Sequence, residues 1–200
     1  MPSINERAKS SLNARMGAVA LLVAALALLA LATQQAALTP LRLLTTGIST
    51  LGVWAFCDEM GMKKPLNRAG FVSYAFALFA RLSALLEPQS PAVGRYYLLY
   101  AFALLLAMLL WSVAYLHRQR ELKVIGAVGA MATLAPIVAL LAGHLALGAG
   151  AIFGIGSLLA AAEGATMNDF SFIKSIDFMF SIWALVSAWF LWFGHIRSAD

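Results

Sequence analysis

Arg81 lies in the stretch FALFARLSALLEP, residues 76–88, with apolar residues on both sides of it. Glu87-Pro88 must end that helix six residues later, because proline disfavours helical backbone in the residue before it. A guanidinium inside an apolar helix has two readings. Its long side chain can snorkel to the headgroups or join a structural pair, or it can hold a ligand or ion. The second charged cluster is in NDFSFIKSIDFMFSIWALVSAWFLWFGH, where Lys174 and Asp177 are three apart. That spacing puts them on one helical face, so a local ion pair is one expectation. The sharper one is that Asp177 faces Arg81 across the structure.

Three further residues have proton or ion chemistry within reach. His144 sits among apolar residues and glycines, and imidazole titrates near neutral pH. As a lone histidine at a helix end it also reads as an interfacial residue. Glu163, just before Gly164, reads either as an interfacial carboxylate or as part of a substrate or proton site. Cys57-Asp58-Glu59 adjoins Lys63 and Lys64 and reads as a solvated loop, since no histidine lies near in sequence to activate the thiol. No HExxH or CxxC spacing occurs, so zinc and dithiol chemistry gain no support. The expectation is no cofactor, no metal and no assigned catalytic residue, and a chain that is more readily not an enzyme.

The elements that must position these groups are apolar helices. The 200 residues are 62% hydrophobic and 12% charged, with mean hydropathy +0.84. Soluble domains average about 25% charged residues, so this composition cannot cover a surface in water. Runs near the roughly 20 residues of a membrane span occur at 16–36, 41–57, 69–87, 95–116, 124–143, 146–163 and 171–194. The basic start and apolar run at the N-terminus resemble a signal peptide, but the run is long enough to be an uncleaved first span. The fold class expected is an all-α polytopic membrane bundle of seven segments. Six crossings with a re-entrant 146–163 is the alternative.

Charge orients it. Arg7, Lys9, Arg15, Lys63, Lys64, Arg68, Arg118, Arg120 and Lys123 would fall on one side, and Arg42 and Arg95 on the other. Basic residues stay cytoplasmic, so a cytoplasmic N-terminus in a bacterial inner membrane is expected. The net charge of +5 is thus a topology signal rather than a nucleic-acid footprint. The organisation is a basic arm over 1–15, one transmembrane domain over 16–195 and a tail over 196–200. Ser73, Ala77, Arg81 and Ala84 form one small and polar stripe, and Lys174, Asp177, Ser181, Ala184 and Ala188 a second. Trp54, Tyr96, Tyr97, Trp111, Trp189 and Trp192 read as interfacial belts. Gly150 and Gly154 make a GxxxG pattern for close helix packing, which would serve a homo-oligomer or a membrane protein partner.

Depth links the two charges. If 146–163 crosses, Asp177 starts its helix on the side opposite Arg81 and the two stay apart. If it does not cross, they share a depth and must pair, because either charge alone in lipid costs several kcal/mol.

Three functions are in view. The first is a transporter or channel for a small solute or ion, using Arg81, Asp177, Lys174, Glu163 and His144. The second is a non-catalytic subunit or assembly factor of a membrane complex. The third is a membrane-embedded lipid-active enzyme.

Overall fold

The computed structural model describes the backbone of residues 4–33, 39–62, 64–116, 123–146 and 171–193, and side chains within 12–31, 40–62, 64–116, 123–135 and 176–193. Among the described residues there are six helices and no strand: α1 (Ile4–Thr33), α2 (Thr39–Met60), α3 (Pro65–Leu86), α4 (Val93–Leu116), α5 (Lys123–Ala146) and α6 (Ser171–Trp192). Helix is the solution an apolar chain must take in lipid, where backbone N–H and C=O groups need partners within the segment. Leu12–Leu31 of α1, α3 and α4 are each long and apolar enough to cross a membrane. The chain is therefore a helical membrane protein. The expected seven-helix count is not reproduced among the described residues. Of the stretch 146–163 only Ala146 lies within them, so Glu163 and the Gly150/Gly154 pattern fall outside.

Local chemistry fixes the ends. Pro65 takes the first position of α3, where a missing N–H costs nothing, and Lys64 before it is extended. The α2–α3 turn needs the left-handed backbone of Gly61, at φ 90°. Asn67 Nδ2 ties that turn down by donating to the carbonyls of Cys57 (2.8 Å) and Gly61 (3.1 Å). Cys57 is therefore buried at the end of α2 rather than standing in a solvated loop, while Asp58 is exposed. The thiol packs within a helix end that short polar bonds have closed.

Neighbouring contacts set the direction of each helix. Gly17 abuts Ala55 and Gly52 abuts Leu21, so α1 and α2 run antiparallel and nearly touch. Asn67 beside Cys57 and Tyr74 beside Ser49 set α3 antiparallel to α2. Gly70 against Trp111 and Ser73 against Ala103 do the same for α4. Gly126 abuts Leu116 and Gly129 abuts Ser112, so α5 reverses again. Arg15 lies over the Trp192 ring at 5.9 Å, which brings the start of α1 to the end of α6. One end of the bundle, the basic end, thus holds Arg15, the 61–64 turn, Lys123 and Trp192. The other, the far end, holds the α3–α4 turn and the start of α6.

The core runs between these helices. Leu21, Phe56, Leu104, Met108, Trp111, Ile125, Ile176 and Trp183 are fully buried, while Leu51, Phe79, Met131 and Trp189 face outward. Such an apolar exterior suits contact with lipid. Trp54, Trp189 and Trp192 are outward-facing, as belt residues must be, but Trp111 and Tyr97 are buried. The correction has a packing reason. Gly70 leaves room for the indole of Trp111 against the backbone of α3, and a Cβ there would lie 2.5 Å from Trp111 Nε1.

Candidate functional site

Arg81 and Asp177 meet. Arg81 Nη1 donates to Asp177 Oδ1 at 3.0 Å and Nη2 donates to Oδ2 at 3.3 Å. The two-point geometry is the fork that a planar guanidinium offers a carboxylate. Both residues are 7% exposed. Arg81 therefore does not snorkel, and α6 begins at the far end beside the last turns of α3. The pair is what the low dielectric requires: both ions are buried from solvent, and each is the other's compensation.

A third group completes the site. Tyr100 OH accepts from Arg81 Nη1 at 2.6 Å and donates to Asp177 Oδ1. Its ring lies under the guanidinium, with Cζ 4.9 Å from the centroid, a cation–π distance. Tyr100 is a residue that the stripe reasoning missed. A signal was present, because α3 and α4 are joined by a short turn. Arg81 sits six residues before Glu87 and Tyr100 seven after Val93, so an antiparallel hairpin puts them at similar depth. Tyr97 and Tyr100 also recur at helical spacing.

Each element contributes one group for a local reason. On α3, Ala77, Ala80 and Ala84 are buried around Arg81, and their small side chains allow α4 to approach. On α6, Asp177, Ser181, Ala184 and Ala188 are all buried on one face. Ser181 Oγ donates to the Asp177 carbonyl at 2.7 Å, so its hydroxyl is satisfied within the helix. Lys174 lies on α6, but its side chain is outside the described set, as is that of His144 on α5. Glu163 lies outside altogether.

Beside the pair is a small void of about 10 Å³, bordered by Leu28, Thr46, Ser49, Tyr74, Arg81, Tyr100 and Phe180. That is about the space one water needs. Its polar rim comes from α2 and α3: Ser49 Oγ and Tyr74 OH are 3.0 Å apart, and Thr46 donates to the Arg42 carbonyl at 2.7 Å. The site thus joins a fixed cation, a carboxylate, a phenol and three hydroxyl-bearing neighbours in the far half of the bundle. Such a set can exchange a proton or coordinate a small ion. Room for a larger molecule would require the helices to part.

No family model, curated protein or solved structure matches the chain.

Proposed function

We propose that the protein moves a small solute or ion across the membrane, with Arg81, Tyr100 and Asp177 as the intramembrane site. The observation that carries this is the burial of a full ion pair beside a water-sized void with a hydroxyl rim. Ionisable side chains at membrane depth are costly and mark ion or proton pathways by default. The size of the void favours a proton or small ion over an organic solute in this closed arrangement. Lys174, Glu163 and His144, nominated by the sequence alone, belong to the same proposal.

The orientation follows the basic residues. Arg15, Lys64, Arg68 and Lys123 gather at one end, which the positive-inside rule makes cytoplasmic, in keeping with a bacterial inner membrane. The directions of α5 and α6 favour six crossings, because α5 leads to the far end and α6 starts there. Both chain ends would then lie in the cytoplasm. A single cysteine at Thr166 in a Cys57→Ser background reads this directly. Labelling by an impermeant maleimide in intact cells is expected; labelling only after the cells are opened would sink the six-crossing topology.

Function is read in proteoliposomes containing fluorescent reporters for protons, sodium, potassium and chloride. Flux of one of these ions above protein-free vesicles is expected, with at least a tenfold loss in Asp177→Asn that leaves the elution profile intact. Absence of flux for every reporter would remove the small-ion form of the proposal.

A second reading, a non-catalytic subunit or assembly factor, draws on the groove of about 380 Å³ between α1 and α6, lined by apolar residues including Leu22, Leu185, Trp189 and Phe193. Stoichiometric recovery of a membrane protein partner, lost when Trp189 and Leu185 are changed, would favour it.

A further inference from the structure

On the outer side of α3 and α4 a groove of about 740 Å³ starts at the basic end and runs along both helices. Its walls are Val72 and Phe76 on α3 and Leu106 and Leu110 on α4. Its floor holds Ala69, Ala103 and Ser73. Ser73 Oγ donates to the Ala103 carbonyl at 2.8 Å, so the floor offers that hydroxyl already satisfied. The groove is therefore apolar along its length and fits a hydrocarbon chain.

Its mouth is the opposite. Arg68 lines it and is exposed, and Lys64, the extended N-cap residue next to the lining residue Pro65, is also exposed. The guanidinium of Arg68 has no ion-pair partner among the described residues. Helix α3 begins here, and Lys64 at its N-cap supplies no side-chain cap. The positive end of the helix dipole thus adds to two cations. From Arg68 to Phe76 the rise is about 12 Å, so a headgroup held at the mouth leaves its chain alongside the apolar walls.

We propose that this groove is a binding site for one anionic phospholipid of the surrounding leaflet. The phosphate sits at the start of α3 between Lys64 and Arg68, and an acyl chain lies between Val72, Phe76, Leu106 and Leu110. Charge complementarity selects the lipid over a neutral one. A hydrophobic helix from another protein would fill the walls but leave both cations unpaired.

Native mass spectrometry of the full chain in a neutral detergent tests the site. The probes are palmitoyl-oleoyl phosphatidylglycerol and phosphatidylcholine with the same chains. Wild type is expected to retain one phosphatidylglycerol in preference to phosphatidylcholine. In Lys64→Gln/Arg68→Gln that affinity should fall roughly 30-fold, because two basic contacts are lost. Both side chains are exposed, so the fold tolerates the change. Lys123→Gln, at the same end but outside the groove, should keep the preference. Ala69→Trp, which fills the floor, should lower the retention of both lipids. Equal retention of the two lipids by wild type would overturn the site. So would a preference that survives Lys64→Gln/Arg68→Gln, or a photoreactive side chain at Phe76 that crosslinks to protein instead of lipid.

Discussion

The far half of the bundle, around Arg81, and the basic half, around Trp111, are built from the same helices and held by different forces. In the far half, α3, α4 and α6 are joined by directional bonds between Arg81, Tyr100 and Asp177. In the basic half, the same helices and α2 meet through aromatic rings. Trp111 and Trp183 stack with centroids 5.1 Å apart and planes 11° apart. Phe56 stands edge-on to both, at 5.8 and 4.9 Å. Asp177 and Trp183 are six residues apart on α6, so about 9 Å separates the two regimes along one helix. The polar half keeps its buried ion pair fully partnered. The aromatic half leaves the indole N–H groups of Trp111 and Trp183 without an acceptor among the described residues. Shape alone is enough to hold rings, whereas a buried charge is tolerated only when each donor finds its acceptor. The difference teaches why the proposed site lies in the far half: buried ionised groups are costly there and need a reason to be kept.

That contrast breaks most sharply at the ion pair. Arg81→Leu or Asp177→Leu leaves one buried charge alone and should lower stability by about 3–5 kcal/mol. The double variant should recover most of that loss, read by thermal unfolding in detergent. Equal losses in single and double variants would mean that packing, not charge, holds this half. Next comes the aromatic half, where Trp111→Ala should cost about 3–5 kcal/mol through the cavity it leaves. No second substitution nearby should rescue it. Trp189→Ala, with 64% of that residue exposed, should change stability by no more than about 0.5 kcal/mol. Combining Asp177→Leu with Trp111→Ala sharpens the comparison: losses that add within about 0.5 kcal/mol mean two independent halves.

Smaller effects follow at the seams. A Cβ on Gly126 would lie 2.8 Å from both the Leu116 amide nitrogen and the Ser112 carbonyl oxygen, neither of which can swing aside. Gly126→Ala should therefore push α5 from α4 and cost about 1–3 kcal/mol. Ser49→Ala removes one hydroxyl contact with Tyr74 and should cost about 1 kcal/mol, seen as a small fall in the unfolding temperature.

Much of this is legible in the amino-acid sequence. Helices over the apolar runs follow from composition, and the inward faces follow from small and polar residues at helical spacing. Ala77, Arg81 and Ala84 on α3 and Asp177, Ser181 and Ala184 on α6 are all buried. The pairing of Arg81 with Asp177 was legible only as a conditional, because it hung on which end α6 starts from. Tyr100 and the inward position of Trp111 were not read. An aromatic near a segment end looks the same to hydropathy whether it turns to headgroups or to a neighbouring helix.

The amino-acid sequence by itself determined that this chain is helical and lives in a membrane. Apolar runs of spanning length, broken by proline and charge, admit no other satisfied backbone in lipid. It also determined that Arg81 and Asp177 were the groups in need of explanation, since ionised side chains in such runs are costly. Only the tertiary structure decided that they explain each other. Residues 96 positions apart come within 3.0 Å because the described helices bring the end of α3 to the start of α6, and that proximity depends on helix direction rather than on any local pattern.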